Sequence, residues 1–180
     1  MPPNARILIV DDHEDTLYAL ESALAPLGHP LGRATSGDEA LKQLLRGNVG
    51  LLLLDVRPPA TGGLDVVRYM RRLEQTQLIP VVLLTGFARD PQLGAAAYAL
   101  GVADLVTKPV DPWALRTEIR HLYDAHQRRL ALEREVRALR ARLEERNPTP
   151  GHPALPHPHA HTPPGGPAGA HTGELERDRT

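Results

Sequence analysis

Five polar side chains able to handle a metal ion or a phosphoryl group each follow a short apolar run. Asp11 and Asp12 follow Ile7-Leu8-Ile9-Val10, Asp55 follows Leu51-Leu52-Leu53-Leu54, Thr85 follows Leu83-Leu84, and Lys108 follows the run at 104–107. Three carboxylates brought together repel one another, and a divalent cation or protonation of one of them relieves the repulsion. A hard, oxygen-seeking ion such as Mg²⁺ suits such a set and keeps some of its waters. Once metal and cation neutralise the transferring oxygens, a carboxylate can attack a phosphoryl group and form an aspartyl phosphate. Lys108 would supply positive charge there and Thr85 a hydroxyl donor. Taken singly, each residue has a plainer reading. Asp11 or Asp12 could be a helix N-cap, Thr85 a turn hydroxyl, and Lys108 a solvated loop charge. Their placement at four successive strand ends is what sets the combination apart.

Positioning them requires a sheet. The runs at 6–10, 49–54, 79–84 and 104–107, with a weaker one at 29–34, are rich in Leu, Ile and Val, as strands covered on both faces are. Helical patterns lie between them. Their start signals are Glu14 or Asp15 before Leu17, Ser36 before Asp38-Glu39, Asp90-Pro91 and Asp111-Pro112, the last two reading as N-cap plus first-turn proline. Five strands alternating with five helices over short loops predict an α/β fold, a doubly wound five-stranded parallel sheet. In such sheets ligands bind beyond the carboxyl ends of the strands, where the winding reverses. All five candidate side chains converge on that edge.

Composition narrows the function. The 180 residues contain no cysteine, which excludes disulfides, thiol catalysis and cysteine-ligated zinc and fits a reducing compartment. No apolar run is long enough to span a membrane, so a cytoplasmic location is expected. The net charge of −1 comes with no strongly basic segment, which speaks against direct nucleic-acid binding. Of the 21 Lys and Arg residues only Lys42 and Lys108 are lysines, so each is conspicuous.

The ordered series Ile7-Leu8-Ile9-Val10-Asp11-Asp12, Leu51 to Pro59 with Gly63 after it, Leu83-Leu84-Thr85-Gly86 and Thr107-Lys108-Pro109 resembles the receiver domains of two-component response regulators, over about residues 5–122. That fold is flavodoxin-like. The resemblance implies that Asp55 is the phosphoacceptor, that Asp12 binds Mg²⁺ directly and Asp11 largely through water, and that the Arg57 main-chain carbonyl completes the protein ligands. Lys108 and Thr85 would contact the phosphoryl oxygens, and the Lys108-Pro109 bond would be cis. A histidine kinase or phosphotransfer protein would be the donor, and the chain would catalyse only its own phosphorylation and dephosphorylation. Arg57 and Phe87 would flank the path of the hydrolytic water, so slow self-dephosphorylation is expected. There are two departures. Leu105 fills the slot where the family usually has Tyr or Phe, and the loop Pro58-Pro59-Ala60-Thr61-Gly62-Gly63 begins stiff and ends flexible.

The last helix outruns such a domain, because no Pro or Gly occurs from Trp113 to Arg146. Leu122, Arg129, Val136 and Leu143 fit heptad position a, and Ala125, Leu132, Leu139 and Arg146 fit d. In a parallel dimer Arg128 would face Glu133, and Glu135 would face Arg140. The expected organisation is a receiver domain at 1–122, a coiled-coil extension forming a homodimer at 123–146, and a disordered Pro/Gly/His-rich tail at 147–180 that has eight prolines. The plainer reading of the extension is a single solvated helix with pairs such as Glu133 with Arg137. His157, His159 and His161 could chelate a metal weakly, although an incidental low-complexity tail explains them as well. No output domain is recognisable, so the output protein is unknown. Two other functions are open: a scaffold that works without phosphorylation, and a phosphatase of the haloacid-dehalogenase type. The phosphatase would need a second Asp two residues beyond the nucleophile, where Arg57 stands.

Overall fold

In the computed structural model, residues 5–57, 61–86 and 90–146 are described. The Leu, Ile and Val runs form β1 (Arg6–Val10), β2 (Leu31–Ala34), β3 (Val49–Val56), β4 (Val81–Thr85) and β5 (Asp104–Thr107). Between and after them come α1 (Glu14–Leu24), α2 (Gly37–Leu45), α3 (Thr61–Arg71), α4 (Pro91–Ala99) and α5 (Pro112–Arg146). The strands make one five-stranded sheet in the order β2-β1-β3-β4-β5, and every pairing is parallel. The predicted doubly wound fold is therefore the observed one. Its winding reverses between β1 and β3, where Val10 pairs with Leu54. Asp11 and Asp55 are the next residues on those two neighbouring strands.

Alternating side chains on the strands build two cores. Leu8, Val10, Leu52, Leu54 and Leu83 pack toward α2, α3 and α4, whereas Ile7, Ile9, Leu51, Leu53 and Leu84 pack toward α1 and α5. The three central strands β1, β3 and β4 are covered on both faces, which explains why their runs are continuous rather than alternating. The capping signals work as their chemistry suggests. Ser36 Oγ accepts from Glu39 N at 3.2 Å, Asp90 Oδ1 from Gln92 N at 2.9 Å, and Asp111 Oδ1 from Ala114 N at 2.6 Å.

Several boundaries differ from the sequence expectation. β4 starts at Val81 rather than 79, because Ile79 N closes a turn onto Thr76 O and Pro80 has no N–H to donate to a ladder. Neither Glu14 nor Asp15 caps α1. His13 holds the N-cap position, and the two carboxylates lie in the first turn, where they complement the helix dipole. Gly62 and Gly63 are helical rather than the flexible end of a loop, since α3 already begins at Thr61. Gly63 is required for a close approach, as a Cβ there would meet Val56 Cγ1 at 2.4 Å. The residues Pro58-Pro59, Phe87, and the tail from 147, including its histidines, lie outside the described residues.

α5 runs for 35 residues without a break. Leu115, Ile119, Tyr123 and His126 are its buried face, and Leu122 also packs, half-buried, on the α1 core. The buried face of the helix thus continues to His126, and Leu122, fitted above to heptad position a, is turned toward the α1 core. Gly50 lets α5 lie this close to β3, because a Cβ there would meet Tyr123 Cε2 at 2.7 Å. The Tyr123 hydroxyl donates to Ala5 O, and its ring lies 4.0 Å from that of His29. Beyond the packed face, Leu132, Val136, Leu139 and Leu143 are exposed. No helix among the described residues is long and apolar enough to cross a membrane.

Candidate phosphoacceptor site

The parallel register delivers the side chains to one corner. Asp11 follows β1, Asp55 is the penultimate residue of β3, and Thr85 ends β4 in register with Val56, one step beyond Asp55. Thr85 also pairs with Thr107 across β5, and Lys108 N donates to Thr85 O at 2.8 Å, so the lysine leaves the sheet pointing back over it. The Lys108-Pro109 peptide is cis, as the resemblance implied. Asp11 and Thr85 are buried, while Asp12 lies on the rim.

Lys108 Nζ is 2.7 Å from Asp55 Oδ1 and 3.3 Å from Asp11 Oδ2, bridging two buried carboxylates. A single ammonium thus pairs with both carboxylates at the carboxyl ends of β1 and β3. Asp11 Oδ1 in turn accepts from His13 N at 2.9 Å. Asp11 is therefore not the N-cap of α1, which is His13, but closes a turn onto the N-cap residue's N–H just before the helix.

Arg57 departs most from expectation. Its main-chain carbonyl was expected to bind metal and its side chain to flank the path of the hydrolytic water, yet the side chain lies among the carboxylates. Nε is 2.9 Å from Asp55 Oδ2, and Nη2 is 3.0 Å from Asp12 Oδ1 and 3.3 Å from Asp11 Oδ1. Three carboxylates thus face two cations, and the repulsion read from the sequence is largely answered from within the chain. The hydrogen bond to Asp55, followed by the charges of Asp12, Asp55 and Asp11, holds the Arg57 guanidinium above its usual basicity.

His13 was missed as a member of the site. Its position directly after the acidic pair was the available signal. Nδ1 lies 2.7 Å from Asp12 Oδ1 and 2.8 Å from Arg57 Nη2, so the ring serves one or the other according to its tautomer. The hydrogen bond from His13, then the charge of Arg57, holds the Asp12 carboxyl below the usual range.

These residues fit a hard divalent cation. Asp11, Asp12 and His13 offer ligand atoms within 4.8 Å of one another, and Asp55 adds oxygen on the same side. Asp11, Asp12, Asp55 and Arg57 line a cleft of about 160 Å³ between the ends of β1 and β3 and the starts of α2 and α3. A larger concavity, about 920 Å³, lies at the opposite edge of the sheet beside His126 and Leu130, away from these carboxylates.

Residues 7–120 match the response regulator receiver domain model, and the chain belongs to that family. It is 34% identical over 149 residues to the cyclic di-GMP phosphodiesterase response regulator RpfG of Xanthomonas campestris pv. campestris, a match covering 78% of this chain and 39% of RpfG. It is 34% identical over 120 residues to response regulator PleD of Caulobacter vibrioides, covering 66% of this chain and 26% of PleD. The chain thus spans well under two thirds of these relatives. Among solved structures, a putative response regulator from Chloroflexus aurantiacus superposes with a TM-score of 0.61 at 28% identity, over 67% of this chain and 98% of that one. A CheY-like receiver domain protein from Methanospirillum hungatei superposes with a TM-score of 0.62 at 24% identity, over 69% of this chain and 97% of that one, a likeness of fold.

Proposed function

We propose that this chain accepts a phosphoryl group on Asp55 from a histidine kinase or phosphotransfer protein and signals that state through protein contacts. The observation that carries the reading is the Lys108 ammonium, 2.7 Å from a nearly buried Asp55 carboxylate and within reach of Asp11. An oxygen of Asp55 attacks phosphorus, the bond from phosphorus to the donor atom breaks, and the leaving group departs with the electron pair. Lys108 offsets the charge on the transferring oxygens, and Thr85 supplies a hydroxyl at the neighbouring strand end. Asp11, Asp12, Asp55 and the Arg57 carbonyl would hold Mg²⁺. When bound, the ion would neutralise further phosphoryl charge. The long Arg57 side chain at the mouth of the site supports slow loss of phosphate to water.

The output reading is a homodimer through α5, from about residue 130 onward. The support is the stripe Leu132, Val136, Leu139 and Leu143, which faces solvent along a helix anchored in the domain by Ile119 and Tyr123. Arg129 already pairs with Glu133 along the helix at 2.9 Å. Dimerisation would therefore share or exchange that pair. The phosphoacceptor reading is tested by incubating the full chain with acetyl phosphate and Mg²⁺ and following intact mass. A gain of one phosphoryl group that is absent in chelator supports it, and no gain under any divalent ion refutes it.

A further inference from the structure

The Arg57 guanidinium occupies the ground that a metal ion would need. Two hydrogen bonds, to Asp55 Oδ2 at 2.9 Å and Asp11 Oδ1 at 3.3 Å, and an ion pair with Asp12 Oδ1 at 3.0 Å take one oxygen from each carboxylate. Those are the hard donors in the cleft. Asp11 and Asp55 are fixed, with side chains 0% and 3% exposed, whereas the Arg57 side chain is 42% exposed and flexible. If two ligands compete here, the arginine is the one that moves.

We propose that Arg57 is a tethered cation that competes with Mg²⁺ for the Asp11, Asp12 and Asp55 oxygens and so sets the metal concentration at which the site becomes competent. The proposal rests on the metal-dependent phosphoacceptor reading and adds a specificity-determining residue to it. The charges explain the exclusion. With Lys108 and Arg57 in place, three carboxylates retain one unbalanced negative charge. A dication added to that set would leave it net positive, with a guanidinium pressed against the ion. Metal therefore enters as the guanidinium leaves, and its contacts to the three carboxylates are lost in the exchange. A guanidinium is suited to this role because its planar fork satisfies several carboxylates at once, which a lysine at the same place could not. His13 supports the resting position, with Nδ1 2.8 Å from Arg57 Nη2.

The test is calorimetric titration of MgCl₂ into the unphosphorylated full chain, as wild type, Arg57→Met and Arg57→Lys, with thermal unfolding measured in chelator and in Mg²⁺. Arg57→Met, which keeps the stem and removes the charge, is expected to bind Mg²⁺ about tenfold or more tightly, and Arg57→Lys to fall between. In chelator Arg57→Met should unfold at a lower temperature than wild type, and Mg²⁺ should raise its midpoint by more. A purely structural arginine would lower both midpoints equally. Affinities for Mg²⁺ within twofold of wild type, or weaker, overturn the proposal. So does an equal metal-induced shift, and so does the absence of Mg²⁺ binding by every chain. Tighter binding by Arg57→Met without phosphoryl uptake from acetyl phosphate would support the competition while defeating the phosphoacceptor reading. Normal uptake with unchanged affinities would defeat the competition alone.

Discussion

Arg71, near the end of α3, holds the amino-terminal edge of the sheet together, and replacing it gives a prediction whose size can be worked out. Its Nε donates to Leu100 O at 3.0 Å, Nη1 to Gln77 O at 2.9 Å and to Ile79 O at 3.0 Å, and Nη2 to Gly101 O at 3.0 Å. These carbonyls belong to the turn before β4 and to the end of α4 before β5, so one side chain fixes the approach to two strands. Burial depresses the Arg71 basicity, with the acceptors all backbone dipoles. In Arg71→Ala, the carbonyls of exposed Gln77 and Gly101 can turn to water, whereas those of Ile79 and Leu100 are more enclosed. Two poorly solvated acceptors at about 1–3 kcal/mol each give a loss of roughly 2–6 kcal/mol. For a domain of this size, that lowers the melting midpoint by roughly 10 °C. Arg71→Lys should recover only part of the loss, because a compact ammonium cannot span four acceptors. Differential scanning calorimetry would measure both variants, and phosphoryl uptake at low temperature should be normal because the site lies at the other end of the strands. An Arg71→Ala midpoint within about 1 °C of wild type would refute the reasoning.

Three further outcomes follow from particular contacts. His126 is buried, and burial first, then the charge of Arg129, lowers its pKa, with Glu133 opposing. The unfolded chain therefore binds a proton more readily, so stability is full above pH ~6.5 and falls as pH drops below it, at up to about 1.4 kcal/mol per unit until the folded group also titrates. His126→Gln should flatten urea-midpoint profiles between pH 7 and 5, and unchanged curvature would count against it. Gly50→Val would drive a side chain into Tyr123, Ala5 and Gln127; a loss of about 1–3 kcal/mol is expected in chemical denaturation, and a neutral result would mean that α5 does not rest on β3 as described. Leu132→Glu with Leu139→Glu should shift sedimentation of the phosphorylated chain from dimer to monomer without changing its melting midpoint, and wild type sedimenting as a monomer at tens of micromolar in both states would remove the seam.

The fold and the corner that gathers the five candidate side chains were legible because the signals are local. Asp11, Asp12, Asp55, Thr85 and Lys108 each follow a run suited to a strand, and parallel strands in a doubly wound sheet deliver their ends to one edge. What was not legible depends on where a long side chain points. Spacing placed Arg57 beside the site, but only the folded corner directs its guanidinium onto three carboxylates. Arg71 had no signature at all, since its partners are carbonyls that every residue carries. Leu122 was read both as the last residue of the domain and as heptad position a, because periods of 3.5 and 3.6 diverge little over a few turns; it packs on the α1 core. Pro80 marked the start of β4 in the sequence, although the apolar run ran past it.

The central claim is that Asp55 carries the phosphoryl group. The direct measurement is to phosphorylate the full chain with acetyl phosphate and Mg²⁺, digest it under conditions that preserve acyl phosphates, and locate the modified peptide by mass in wild type, Asp55→Asn and Lys108→Ala. The account predicts one phosphoryl group on the peptide containing Asp55 in wild type, none in Asp55→Asn, and strongly slowed uptake in Lys108→Ala. Undiminished phosphorylation of Asp55→Asn, or a phosphoryl group located on another residue of the wild type, would contradict it.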